Sequence, residues 1–150
     1  MNAQVNVSAN VQVTVQDAAT GAILAQQEHK NLVVSGGLNL IRDLLDGDSV
    51  AGLTHFAVGT GTTAVASSQT TLGNQVFRDT VTQRTSNAQQ LVVSYYLASG
   101  SANSSTLSEA GLFNAASGGT MFARVLLSPV INKTAAVAVT FNWTINLGAA

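Results

Sequence analysis

The chain has 150 residues, of which 46% are hydrophobic and only 9% charged, with six basic against seven acidic side chains and a formal net charge of −1. Soluble domains carry about 25% charged residues, so self-repulsion is weak here, neutral polar surface packs readily against a neighbour, and association is the first expectation. The scattered cations Lys30, Arg42, Arg78, Arg84, Arg124 and Lys133 form no stripe for nucleic acid, no apolar run approaches the ~18–20 residues of a membrane span, and zero cysteines exclude disulfides, zinc ribbons and thiol catalysis.

A chain of this length fits one domain that buries roughly 70% of its unfolded surface. Residues 1–150 are therefore expected as a single β-rich unit, divided into an N-terminal hairpin (1–30), a short helix (35–47) and a main β region (53–147). Met1-Asn2-Ala3-Gln4 lacks the basic and apolar regions of a secretory signal.

Val5, Val7, Val11, Val13 and Val15 recur with period two, with Asn6, Ser8, Gln12 and Thr14 between them, which predicts a strand with one apolar face. In residues 17–21, Asp17 can bond its own backbone and Gly21 tolerates positive φ, so a turn and a return strand over 22–28 follow. Leu38, Ile41, Leu44 and Leu45 then recur at helical spacing, with Ser35 as the expected N-cap and Gly47 as the left-handed terminus. Strands are predicted at 53–58 and 76–83. Leu91, Val93, Tyr95 and Leu97 alternate in another, and 99–106 reads as a polar loop. Leu112-Phe113, the turn 114–119 and residues 121–127 read as a hairpin. In the last strand Val137, Val139, Phe141, Trp143, Ile145 and Leu147 share one face. Seven to nine short strands and one helix imply an antiparallel β-sandwich or barrel, jelly-roll-like.

Chemistry-bearing constellations are sparse. Gly59-Thr60-Gly61 follows a strand, but no Gly-Lys-Ser/Thr, sixth-position Gly or helix pattern completes a phosphate-binding motif, so it reads as a turn. His29 and His55 have no second ligand at i+2 or i+4. Asp43, Asp46 and Asp48 cluster at the helix end without the spacing or closing Glu of a calcium loop, and read as a solvated terminus. Glu109 stands alone in an apolar stretch and needs a partner, for which Arg78 and Arg124 are the candidates. No Gly-x-Ser-x-Gly elbow anchors a hydrolase triad, and the Asn-x-Ser/Thr triplets at Asn6, Asn103, Asn132 and Asn142 follow from composition. Tyr95, Tyr96 and Trp143 are the aromatic candidates for a sugar surface, with Trp143 expected in the core by its alternation. No catalytic, cofactor or metal-binding residue is assigned.

Lys30-Asn31-Leu32-Val33-Val34, Phe56-Ala57-Val58-Gly59-Thr60-Gly61-Thr62-Thr63 and Leu72-Gly73-Asn74 with Arg78 open a series of motifs. It continues through Ser108-Glu109-Ala110-Gly111-Leu112-Phe113-Asn114, Gly119-Thr120-Met121-Phe122-Ala123-Arg124 and Ser128-Pro129-Val130-Ile131-Asn132-Lys133-Thr134. Taken together over residues 30–147, these resemble small virion structural proteins of tailed bacteriophages, of the head-decoration (cement) or tail-appendage type. The resemblance implies a non-enzymatic subunit of the virion, assembled in the host cytoplasm without cofactor. Its implied partners are copies of itself, often as trimers, and the major capsid protein or tail proteins. Capsid decoration that bridges coat subunits is the first expectation. A tail collar or fibre-adaptor protein is the second, and a carbohydrate-binding module the third. Expected contact surfaces are the exposed faces of the first and last strands and the loops 59–68 and 99–105.

Overall fold

A computed structural model describes residues 4–149; Met1–Ala3 of the region expected as a hairpin, and Ala150, lie outside the described residues. The strands are β1 (Val5–Asp17), β2 (Ile23–Val33), β3 (His55–Gly59), β4 (Gln75–Thr80), β5 (Gln83–Asn87), β6 (Gln90–Leu97), β7 (Ser105–Phe113), β8 (Met121–Lys133) and β9 (Val137–Ala149), with one helix, α1 (Ser35–Asp46). All pairings are antiparallel, in the order β4-β3-β7-β8-β2-β1-β9-β6-β5. The chain is thus mainly β with one short helix. The expected sandwich or barrel is realised as one nine-stranded sheet, curled into a half-barrel whose halves face each other.

The curl has two corners. β2 pairs with β1 along most of its length and joins the backbone ladder of β8 only at Leu32 and Val33, its Gln27 side chain alone bridging to Ser128 and Pro129. The other corner lies between the two edge strands, β4 and β5, which are consecutive in sequence. There the Val81 amide donates to Thr54 O and the Thr82 amide to Ser94 O, carrying the chain from one half of the sheet to the other. This corrects the single strand expected over 76–83: its two ends belong to opposite edges.

Inside the curl the alternation of the sequence becomes burial. Val11, Val13, Val93, Val139, Phe141 and Trp143 are all fully buried. The Phe56 ring stacks on Tyr95 at 4.5 Å and tilts against Phe141 at 4.6 Å, joining the two halves of the sheet. β7 is different, because every residue from Leu107 to Phe113 is buried. A strand buried on both faces needs a cover on its outer side. The segment between β3 and β4 supplies it, laying Leu72 on Ala57, Phe113 and Met121 to form a second, smaller core.

The 17–21 turn forms as expected: Asp17 Oδ1 accepts the Ala19 and Thr20 amides at 3.0 and 2.8 Å, and Gly21 has φ 73°. The return strand runs further than expected, to Val33. β7 starts at Ser105 and β8 continues to Lys133, so the expected 99–106 loop is shorter and the 112–127 hairpin longer. Their pairing extends from Ser105 and Lys133 to Phe113 and Met121, across a bulge after Leu107.

α1 ends at Gly47, φ 84°, with the Gly47 amide on Leu44 O and the Asp48 amide on Asp43 O, the hydrogen bonds of a Schellman terminus. Its start differs from expectation. Val34 takes the cap position with no side-chain cap, and Ser35 is the first helical residue. The Val34 and Ser35 amides are satisfied tertiarily, on Phe122 O and Ser67 O, and those of Gly37 and Leu38 by Val34 O. Gly37 is required at this dock, since a Cβ there would collide with the Phe122 carbonyl.

Candidate functional site

The densest polar constellation in the fold lies between the outer face of β7 and the 60–74 segment. Because side chains alternate along a strand, Glu109 points away from the main core, on the same side as Gly111 and Phe113. Across the sheet stand Gly59, opposite Glu109, and Arg124, opposite Gly111. The Glu109 carboxylate accepts the backbone amides of Gly61 (2.9 Å), Gly73 (2.8 Å) and Asn74 (2.7 Å). Arg124 Nε lies 2.8 Å from Oε2, and Nη2 is at the same distance. Arg124 Nη1 continues outward to Thr63 O at 2.8 Å and Gln69 Oε1 at 3.1 Å.

Both members of this pair are fully buried. Burial alone would raise the Glu109 pKa. The amides of Asn74 and Gly73, the Arg124 guanidinium and the Gly61 amide outweigh it and hold the carboxyl below its ordinary value. The expected partnership of Glu109 is therefore with Arg124 and not Arg78. Gly59-Thr60-Gly61 proves to be more than a turn: with Gly73-Asn74 it forms a cradle of amides for an anion, and the anion is the chain's own carboxylate. A Cβ at Gly61 would lie 2.5 Å from Glu109 Oε1, so the close approach depends on glycine. Its hydrogen bonds filled and its surface closed to solvent, Glu109 has no open lone pair for acid–base work.

Three other cations, buried Lys133, half-buried Arg78 and exposed Arg84, act in the same way on other loops. Lys133 Nζ donates to Ser99 O (3.3 Å), Asn103 Oδ1 (2.9 Å) and Thr134 O (3.0 Å), fixing the connection between β6 and β7. Burial lowers its pKa. Arg78 lies 3.6 Å above the Phe113 ring and donates to Ala115 O and Gly118 O, both at 3.0 Å, clamping the β7–β8 turn. Arg84 reaches Leu53 O at 3.2 Å. Four of the six basic residues thus hold loop carbonyls. This use of charge was not visible in the sequence, where the cations are scattered without pattern.

The remaining candidates do not converge. Asp43 pairs with Arg42, and among the described residues no group of three or more His, Cys, Asp or Glu side chains is arranged to hold a metal ion. His29 Nε2 meets Gln27 Oε1, and His55 sits between Thr54 and Thr80 hydroxyls. Trp143 and Tyr95 are buried, the Tyr95 hydroxyl donating to Asp79 at 3.0 Å, which leaves Tyr96 half-exposed by itself. Among the described residues no helix is long and apolar enough to cross a membrane.

What the fold does present is a wide uncharged surface. The register places Ser8, Asn146 and Gln90 side by side on the outer face of β1, β9 and β6, then Asn10, Thr144 and Val92, and then Gln12, Asn142 and Ser94. Thr14, Thr140 and Tyr96 complete it, and β5 extends it with Gln83, Thr85 and Asn87. Hydrogen bonds from Gln90 to Asn146 and from Ser94 to Asn142 tie neighbouring strands across this face. No family model matches the chain, and no curated protein or solved structure matches it either.

Proposed function

We propose that this chain is a non-enzymatic structural subunit of a bacteriophage virion, foremost a decoration or cement protein that bridges coat subunits of the head. The observation that carries the reading is the outer face of β1, β9 and β6, three registered strands bearing mostly Ser, Thr, Asn and Gln, with Val92 and Tyr96, and no ionised side chain. Such a face forms many neutral contacts without the desolvation cost of charge. Both loops expected to make contacts, 59–68 and 99–105, are anchored from beneath, by Glu109–Arg124 and by Lys133. A contact loop that is already ordered loses less conformational freedom on binding. Modest interfaces of this kind become firm when one oligomer touches several coat subunits at once.

The motifs behind the virion resemblance support the reading in a second way. Gly59–Thr63, Leu72–Asn74, Glu109 and Arg124 come from separate segments and meet at the amide cradle. These residues serve a fold-defining device, which suits a structural subunit. The carbohydrate alternative loses support with the burial of Trp143 and Tyr95. Imaging of intact particles, with the copy number measured by quantitative mass spectrometry, tests the proposal. Hundreds of copies on the head are expected. A few copies at the neck or tail would replace decoration by the collar or fibre-adaptor role, and absence from the particle would refute the virion reading.

A further inference from the structure

We propose that the free edge of β5 takes up an extended segment of another protein as an added antiparallel strand, selecting an apolar and an acidic side chain two residues apart. β5 is the last strand of the sheet and pairs only with β6. The turn between them has two residues, Ala88 and Gln89, with Ala88 at φ 50°. Such a hairpin closes on a hydrogen-bonded pair, here Asn87 with Gln90, and bonded and open pairs then alternate along the ladder. Thr85 and Gln83 therefore bond β6, whereas the N–H and C=O groups of Arg84 and Ser86 point out from the free edge. Among the described residues no backbone hydrogen bond from another segment reaches them. Every residue of β5 is exposed, and neither a proline nor a bulge interrupts Gln83–Asn87 to blunt the edge.

The same two residues define what the added strand carries. Arg84 stands opposite Val93 and Ser86 opposite Leu91, so both side chains lie on the inner face. There they border an apolar groove of about 510 Å³ between α1 and the inward faces of β5, β6 and β9, lined by Leu44, Leu45, Leu91 and Ile145. Arg84 is the one ionised side chain of that lining; its Nη1 donates to Leu53 O, and among the described residues it has no ion-pair partner. A row of outward amides and carbonyls is matched by an extended backbone, which a lipid or a small apolar molecule does not offer. In antiparallel pairing the residue across from Ser86 comes two before the residue across from Arg84, and both turn inward. The first meets the leucines of the groove and the second meets the guanidinium, so the order favoured is apolar, any residue, acidic. Pairing of β5 with β5 of a second copy is poorly matched, because Gln83–Asn87 holds neither an acid to oppose Arg84 nor a large apolar side chain to fill the groove.

The inference goes beyond the virion reading and is separable from it, since the edge binds a peptide in solution whether or not particles contain the protein. The probe is a fluorescent heptapeptide, Thr-Thr-Leu-Thr-Glu-Thr-Thr, titrated with the protein in fluorescence anisotropy. Saturable binding is expected below ~1 mM. Exchanging Leu and Glu, or replacing Glu by Lys, should weaken it several-fold. N-methylation at Leu, whose N–H would face Ser86, should weaken it more than about tenfold, while N-methylation of the central Thr, whose N–H points away, should change it little. In the protein, Ser86→Pro removes an outward N–H and leaves the β6 ladder intact, so the thermal melt should match wild type while binding falls more than about tenfold. Arg84→Glu should transfer the preference to the Lys peptide, which keeps the test decisive should Ser86→Pro fail to fold. No binding at ~1 mM would leave Arg84 as a guard of the edge and overturn the proposal. Equal binding of both residue orders, indifference to N-methylation at Leu, or a dimer in sedimentation velocity that Ser86→Pro abolishes would each overturn it as well.

Discussion

Replacing Glu109 by Gln keeps the shape of the side chain and removes its charge, which isolates what the carboxylate does. At present Oε1 accepts the Gly61 and Asn74 amides, and Oε2 accepts Gly73 and the Arg124 guanidinium. An amide side chain can keep one of these oxygens. Its NH2 group then faces either two backbone donors or a donor and a cation, and Arg124 is left as a buried charge without a counter-ion. Removing one partner of a buried pair costs about 3–5 kcal/mol. For a domain of this size that is a large part of the ~5–15 kcal/mol by which native proteins are stable, and corresponds to a fall in Tm of roughly 6–20 °C. Urea unfolding at neutral pH measures it.

The same variant predicts a pH signature. Since the folded-state pKa of Glu109 lies below its ordinary value, its stabilisation is present above the usual carboxylate range and is lost as the pH falls through the folded value. The stability gap between wild type and Glu109→Gln should therefore narrow on acidification. Changing both partners, as Glu109→Gln with Arg124→Met, should recover only part of the loss, because the cradle amides still lack their full acceptor. A loss below about 1 kcal/mol for the single variant, with no pH dependence in the gap, would refute the view that this pair holds the 60–74 segment in place.

Gly61→Ala should destabilise by about 1–3 kcal/mol through collision with Glu109 and Gly73, while Gly100→Ala, with open space around it, stays within about 0.5 kcal/mol; paired melts compare them. Lys133→Met should cost about 1–3 kcal/mol and speed amide exchange in residues 98–104, which hydrogen exchange with mass spectrometry reads directly. Trp143→Ala should cost about 3–5 kcal/mol in denaturant unfolding, and less than about 1 kcal/mol would show that the ring is not core.

Much of the fold was readable from period alone. The alternation from Val5 to Val15 and from Val137 to Leu147 marks two strands that prove to be direct neighbours, and the left-handed Gly47 ends the helix where its spacing stops. β5 was missed because Gln83-Arg84-Thr85-Ser86-Asn87 has no apolar alternation; it is an edge strand whose outer face is polar and whose inner face lines an open groove. Local chemistry makes Ser35 the expected helix cap, but the Val34 and Ser35 amides bond β8 and the 60–74 segment and set the helix start one residue earlier, with the Gly37 and Leu38 amides on Val34 O, which local sequence does not reveal. The Glu109–Arg124 partnership was half visible, since a lone acid in an apolar stretch needs a cation. The amide cradle was not, because its donors are 35 to 48 residues away and backbone amides carry no sequence label.

The placement of cations beneath the loops also bears on how this protein meets changing solvent. Mobile ions screen charges that water can reach, over about 10 Å at 0.1 M salt, and act far less on pairs sealed in the interior. Glu109, Arg124 and Lys133 are sealed in this way, while the outer face of β1, β9 and β6 has its nearest charges in Glu28 and Lys30 on the neighbouring β2. The geometry of the loops that these three side chains hold should accordingly be the same in dilute buffer as in brine.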